Sequence, residues 1–183
     1  YYNTRVTSVD TDVQELVDEG VIVCIAAGNG GNKIDISSGP DYNNTVTTNS
    51  GTDYYHRGSS PFYDGAIKVG SLDSTAYDVG NEQKATYSET GPGVDIYSPG
   101  TDIMSSTSNT NRWGSGSQSY YLNASYKQTN ISGTSMASPQ VCGYAALILQ
   151  MNPRMTPAEF KSYMVTIADG SMYSSLSNND WTN

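Results

Sequence analysis

The sequence predicts an α/β domain on a mainly parallel sheet, from three observations. An amphipathic helical repeat over residues 10–19 gives way, across Gly20, to the apolar run VIVCIAA at 21–27. Further strand-like segments follow, AIKVGSL at 66–72 and VDIY at 94–97. An apolar helical stretch then covers 138–151. Helix, tight turn and buried strand in succession is the rhythm of a parallel sheet flanked by helices, which makes a three-layer domain.

Each element has its own local reason. In the first helix Val13, Leu16 and Val17 fall at helical spacing, Asp10 or Thr11 is the expected N-cap, and Gly20 stands at the C-terminal end. The run at 21–27 is β-branched and small, and it ends in Gly28-Asn29-Gly30-Gly31, which reads as a strand buried on both faces followed by a loop. Residues 32–60 are rich in Gly, Asn, Asp and Ser and read as a long loop, and loops of that length are usually functional or mobile. The strand at 94–97 is closed by the turn Ser98-Pro99-Gly100, and 107–126 reads as a second polar loop. Asn152-Pro153 ends the apolar helix. A last amphipathic helix opens with Thr156 as N-cap, Pro157 at the first helical position and Glu159 completing a capping box. No repeat or linker divides residues 1–183, so one domain is expected.

Bulk composition narrows the function. Nine Lys+Arg against eighteen Asp+Glu leave a formal charge of -9, a surface that repels phosphate backbones and anionic lipid. Neither nucleic acid nor a membrane is an expected partner. No apolar run approaches the roughly 20 residues of a membrane-spanning helix. Cys24 and Cys142 lie in apolar runs with no metal-ligand spacing and read as buried small hydrophobes. Fifteen Tyr among Ser, Asn, Thr and Gly lean toward an extracellular or particle-associated setting. The chain opens on Tyr1 in a polar segment, so a processed or partial chain is expected.

The chemistry-bearing motif is Gly133-Thr134-Ser135-Met136-Ala137-Ser138-Pro139, at the junction of a polar loop and the apolar helix. A side chain there projects near a helix N-terminus, whose unpaired N–H groups and partial positive charge suit the oxyanion of an acyl-transfer reaction. Gly133 lets backbone pass close to a substrate carbonyl, and Pro139 in a first turn loses no helical hydrogen bond. Read by itself, the triplet is a Ser/Thr-capped helix, and Asn29 a turn residue beside glycines.

GTSMASP followed by VCGYAALIL resembles the nucleophile motif and helix of the subtilisin-like serine proteases, and AAGN at 26–29 resembles their oxyanion-hole motif. IKVGSLDS at 67–74, YSETGPGVDIYSPG at 87–100 and the I-x-S-x-T of 103–107 resemble the intervening strands and turns, in order. The resemblance spans about 13–168 and implies the C-terminal portion of a subtilisin-like fold. It implies a serine endopeptidase with Ser135 as nucleophile and Asn29, with the Ser135 N–H, as oxyanion donors. Ala26, Ala27 and Gly28 would form one wall of the primary specificity pocket, and Thr134 would place a hydroxyl near the oxyanion. Peptide or protein substrates are implied and no cofactor is required. Asp95 resembles a position that ligates a weak cation in some members, so accessory calcium is possible, although one carboxylate is few against six to eight oxygens.

The resemblance also implies a catalytic Asp and His placed before the oxyanion Asn. Only 28 residues precede Asn29, they hold no His, and Asp10, Asp12 and Asp18 lie in or beside the first helix. The single histidine, His56, falls in the long loop and reads as a solvated loop residue. An N-terminal segment or a second chain carrying the Asp and His is therefore the expected partner; the alternative is an inactive structural or binding module with tyrosine-rich contact loops. The loops at 41–60 and 110–128 look longer than in compact members, and the tail 169–183 departs from the family.

Overall fold

The computed structural model describes residues 5–49, 51–78, 81–108 and 117–168, without the side chains of 74–78, 81 and 82. The tail 169–183 lies outside the described residues.

The central sheet is mixed and mainly parallel. Strand β1 (Cys24–Ala26) and strand β6 (Ile96–Pro99) run parallel to β4 (Ile67–Asp78) on its two sides, while β5 (Asn81–Lys84) folds back antiparallel from β4. Helix α1 (Thr7–Asp18) covers one face; α2 (Thr134–Met151) and α3 (Pro157–Ile167) cover the other. The alternation of the apolar run divides it between these layers, because strand side chains point to opposite faces. Ile22 and Cys24 pack toward α2, whereas Val23 and Ile25 pack with Val13 of α1 and Ala66.

The larger core joins Ile67 and Val69 of β4 to Ala137, Val141, Ala145 and Ile148, a near i, i+4 stripe on α2, and to Phe160 and Met164 of α3. Phe160 is fully buried, and a ring of that size buried in place stabilises by roughly 1.5–3 kcal/mol. Thr156 caps α3 as its spacing predicts: its hydroxyl accepts the Glu159 N–H, and the Glu159 carboxylate accepts the Thr156 N–H at 2.8 Å.

Several local expectations are corrected. Helix α1 starts at Thr7 with Val6 as its uncapped N-cap. Asp10 is drawn away by tertiary partners, accepting the Arg5 Nε–H and the Phe62 N–H at 2.8 Å each. Leu16 of α1 is 49% exposed. The run 21–27 yields a strand of only three residues, half-buried except at Ile25. Among the described residues β1 pairs with β4 alone, so it is an edge where a doubly buried strand was expected. The cysteines are not both buried: Cys24 is half-buried and Cys142 exposed, on a face of α2 that no described element covers. The long loop carries the hairpin β2 (Thr45–Thr48) and β3 (Gly51–Tyr54). The described part of the second polar stretch is largely strand, because β8 (Gln118–Tyr120) and β7 (Ile103–Thr107) both pair antiparallel with β9 (Asn123–Ile131). No periodic burial marked β9, whose side chains are exposed or half-buried along its length.

Candidate active site

Strand β9 runs through Ser132 into Gly133, and α2 begins at Thr134, so Ser135 is the second residue of the helix and is exposed. The helix starts four residues earlier than its apolar pattern, which places Pro139 in its second turn. Lacking an N–H, Pro139 cannot close the i→i−4 bond to the Ser135 carbonyl. The turn before the helix is pinned from behind. Gly133 N–H donates to the Gly100 carbonyl at 2.8 Å, and the Tyr87 hydroxyl donates to that carbonyl at 3.0 Å. The Tyr87 hydroxyl also meets Ser71 Oγ at 2.8 Å and Thr101 Oγ1 at 2.9 Å.

Asn29 follows β1 on an exposed loop, and its side chain reaches this turn. Its Oδ1 accepts the Thr134 N–H at 2.9 Å and the Thr134 hydroxyl at 3.0 Å. A Cβ on Gly133 would stand 3.5 Å from Asn29 Nδ2. With Oδ1 committed to Thr134, the amide's donor end is the free end, beside the residue that precedes Ser135. Thr134 is fully buried, which corrects its expected place on the substrate side. Its hydroxyl accepts the Gly28 N–H at 3.1 Å while donating to Asn29, so it joins the loop to the helix.

Ala26, Ala27 and Gly28 are half-buried along the end of β1. Gly28 has φ of +120°, a conformation that side chains rarely adopt, and a Cβ there would lie 2.8 Å from Glu89 Cγ. Glu89, only 4% exposed, belongs to no chemistry-bearing motif, and its one signal in the sequence is a Glu inside YSETG, a segment that otherwise offers uncharged residues.

His56 is not brought to Ser135. Its Nδ1 lies 2.9 Å from the Lys33 carbonyl, its ring packs on Tyr55 with centroids 4.4 Å apart, and it is half-buried rather than solvated. Among the described residues no side-chain hydrogen bond engages Ser135. Asp95 does not suit a cation as it stands. Lys161 Nζ is 2.9 Å from Oδ1 and Lys68 Nζ 3.7 Å from Oδ2, and Oδ2 accepts the Lys68 N–H at 2.8 Å. Each oxygen of the Asp95 carboxylate thus faces a lysine ammonium group.

The fold is similar to that of a cold adapted subtilisin-like serine proteinase, with a TM-score of 0.62, 25% identity, and coverage of 94% of this chain and 48% of that one. In sequence the chain is 34% identical over 159 residues to Serine protease AprX of Bacillus subtilis (strain 168), covering 83% of this chain and 31% of the relative. It is 32% identical over 162 residues to the Extracellular serine proteinase of Thermus sp. (strain Rt41A), covering 88% and 30%. The chain thus spans less than half the length of these relatives. The sequence model of the Subtilase family matches residues 2–180, nearly the whole chain, and the chain belongs to that family.

Proposed function

We propose that this chain is the nucleophile-bearing part of a serine endopeptidase domain, cleaving peptide bonds through an acyl-enzyme on Ser135. One observation carries the reading: the Asn29 amide is held by Thr134 beside an exposed Ser135 at the start of α2. In this reading Ser135 Oγ attacks the substrate carbonyl, and the oxyanion that forms accepts hydrogen bonds from Asn29 Nδ2 and the Ser135 N–H. The aim of both donors is set before substrate arrives. Ala26, Ala27 and Gly28 then line the side of the cleft that receives a substrate side chain. No cofactor takes part, and the ammonium groups at Asp95 leave calcium no role there.

A serine hydroxyl at neutral pH needs a base, and His56 is engaged with Lys33. The base and its orienting carboxylate come from another segment or chain, and two features support such a partner. The edge of β1 is unpaired among the described residues, and α2 exposes Leu147 and Met151 at 60% and 77%. A helix apolar on nearly every side is normally enclosed. An extracellular setting fits the Thermus relative's name.

A fluorophosphonate probe tests the reading. The native assembled protein should be labelled at Ser135, and the isolated chain should react negligibly, since a site stripped of its base falls about 10⁶ below the intact enzyme. Labelling of neither form would identify an inactive module, whose function Ser135→Ala would leave untouched.

A further inference from the structure

Two groups grip the loop that carries Asn29. From one side the buried Thr134 hydroxyl takes the Gly28 N–H and donates to Asn29 Oδ1. From the other the backbone of 87–90 is laced to it. Gly31 N–H donates to the Tyr87 carbonyl at 2.9 Å, Glu89 N–H to the Gly28 carbonyl at 3.1 Å, and Thr90 N–H to the Asn32 carbonyl at 3.0 Å. A side chain completes the second grip. Glu89 Oε1 accepts the Gly30 N–H at 3.3 Å and an Asn32 Nδ2–H at 3.4 Å.

The contact is close as well as polar. A Cβ at Gly30 would stand 3.0 Å from Glu89 Oε1, and one at Gly28 2.8 Å from its Cγ. Both neighbours of Asn29 in the chain therefore rest directly on the Glu89 side chain. Glu89 is 4% exposed, and its Oε2 is buried without a hydrogen-bond partner among the described residues. Burying a carboxyl with one oxygen unsatisfied is costly, and packing alone would be served better by an apolar residue of the same shape. The turn before Glu89 is itself fixed by Lys84, 7% exposed, whose Nζ donates to the Ala85 and Ser88 carbonyls at 3.0 and 3.1 Å.

Resting on the reading of Asn29 as oxyanion donor, we infer that Glu89 is a positioning residue for it, holding Gly28 and Gly30 so that Asn29 Nδ2 stays aimed at the substrate carbonyl. Glu89 touches no reacting atom. Its effect runs through the backbone on either side of Asn29, so it acts on the stabilisation of the transition state rather than on substrate affinity. The Thr134 contacts fix the side-chain end of Asn29, and Glu89 fixes the main-chain end.

The test is a double-mutant cycle in the native assembled protein, with rates expressed per fluorophosphonate-labelled site so that unfolded material is not counted. Glu89→Leu should lower kcat about 10-fold or more while KM stays within about 2-fold, short of the 10²–10³ lost with a whole donor. Glu89→Gln, whose side-chain oxygen accepts the same two bonds, should stay within about 3-fold of wild type. In an Asn29→Ala background Glu89→Leu should cost nothing further. Multiplying losses, an unchanged kcat in Glu89→Leu, or equal impairment of the Leu and Gln variants would overturn the inference. If Glu89→Leu yields no labelled protein, Glu89→Ala takes its place in the cycle. Failure of the underlying reading shows separately, as a wild-type protein that is not labelled, and it takes the role of Glu89 with it.

Discussion

Asn29 and Thr134, 105 residues apart, are joined by two hydrogen bonds to a single oxygen: the Thr134 N–H at 2.9 Å and the Thr134 hydroxyl at 3.0 Å both end on Asn29 Oδ1. This fixes the orientation of the amide, because the reverse one would set Nδ2 against the Thr134 N–H, which can only donate. The consequence is a donor held in place at the start of α2.

Removing that donor should act on rate. Asn29→Ala in the native protein should lower kcat by about 10²–10³, the size known for losing this donor in a subtilisin, with little change in KM. Thr134→Val keeps the volume but leaves the Gly28 N–H without its acceptor, and a loss of roughly 10-fold in kcat is expected from the loosened amide. Steady-state kinetics on a peptide ester substrate decide it. A Thr134→Val variant with unchanged kcat would show that the hydroxyl has no part in aiming Asn29.

The cysteines report on the uncovered face of α2. Burial, with Cys142 alongside, pushes the Cys24 thiol up to about 12. At pH 8 only about one Cys24 in 10⁴ would be thiolate, so its alkylation should be very slow. Exposed Cys142 should be alkylated first in the isolated chain and protected in the assembled protein if the proposed partner segment lies over α2. Mass spectrometry after iodoacetamide reads both sites. Equal labelling of Cys142 in the two forms would count against a partner on that face.

Core packing sets the third expectation. Phe160 is fully buried among α2, α3 and β4, so Phe160→Ala should cost about 3–5 kcal/mol, read as a lower urea midpoint. Leu147→Ala, at a site 60% exposed in this chain, should cost little in the isolated chain and more in the assembled protein.

A fourth concerns pH. Burial raises the Glu89 carboxyl above its ordinary 4.5, while Asn32, the Gly30 N–H and the Lys84 ammonium pull the other way. A carboxyl raised on folding binds its proton more tightly in the native state. Its contribution to stability is whole below 4.5 and is lost as pH rises through the folded value. Wild-type stability should carry this decline above pH 4.5, and Glu89→Gln, which cannot ionise, should lack it. Urea melts at closely spaced pH values test this, and parallel curves for the two proteins would refute it.

What the sequence alone determined were features whose cause is local. The capping box at Thr156 and Glu159 closes within one turn, the period of two over 22–25 assigns alternate residues to opposite layers, and the GTS and AAGN motifs mark the loop ends that meet. The tertiary structure decided whatever depended on distant partners. Asp10 left its capping role because Arg5 and the Phe62 N–H compete for its carboxylate. The strand at 24–26 is an edge among the described residues because pairing is a property of the sheet and not of the strand. Thr134 turned inward because Asn29 and Gly28 offered both halves of a hydrogen-bond pair, and Glu89 was invisible because burial of a carboxylate is set by a loop 59 residues away. Hydrogen bonds to partners beyond the next turn leave no periodic trace in a sequence, which is why the site's motifs could be read there and its aim could not.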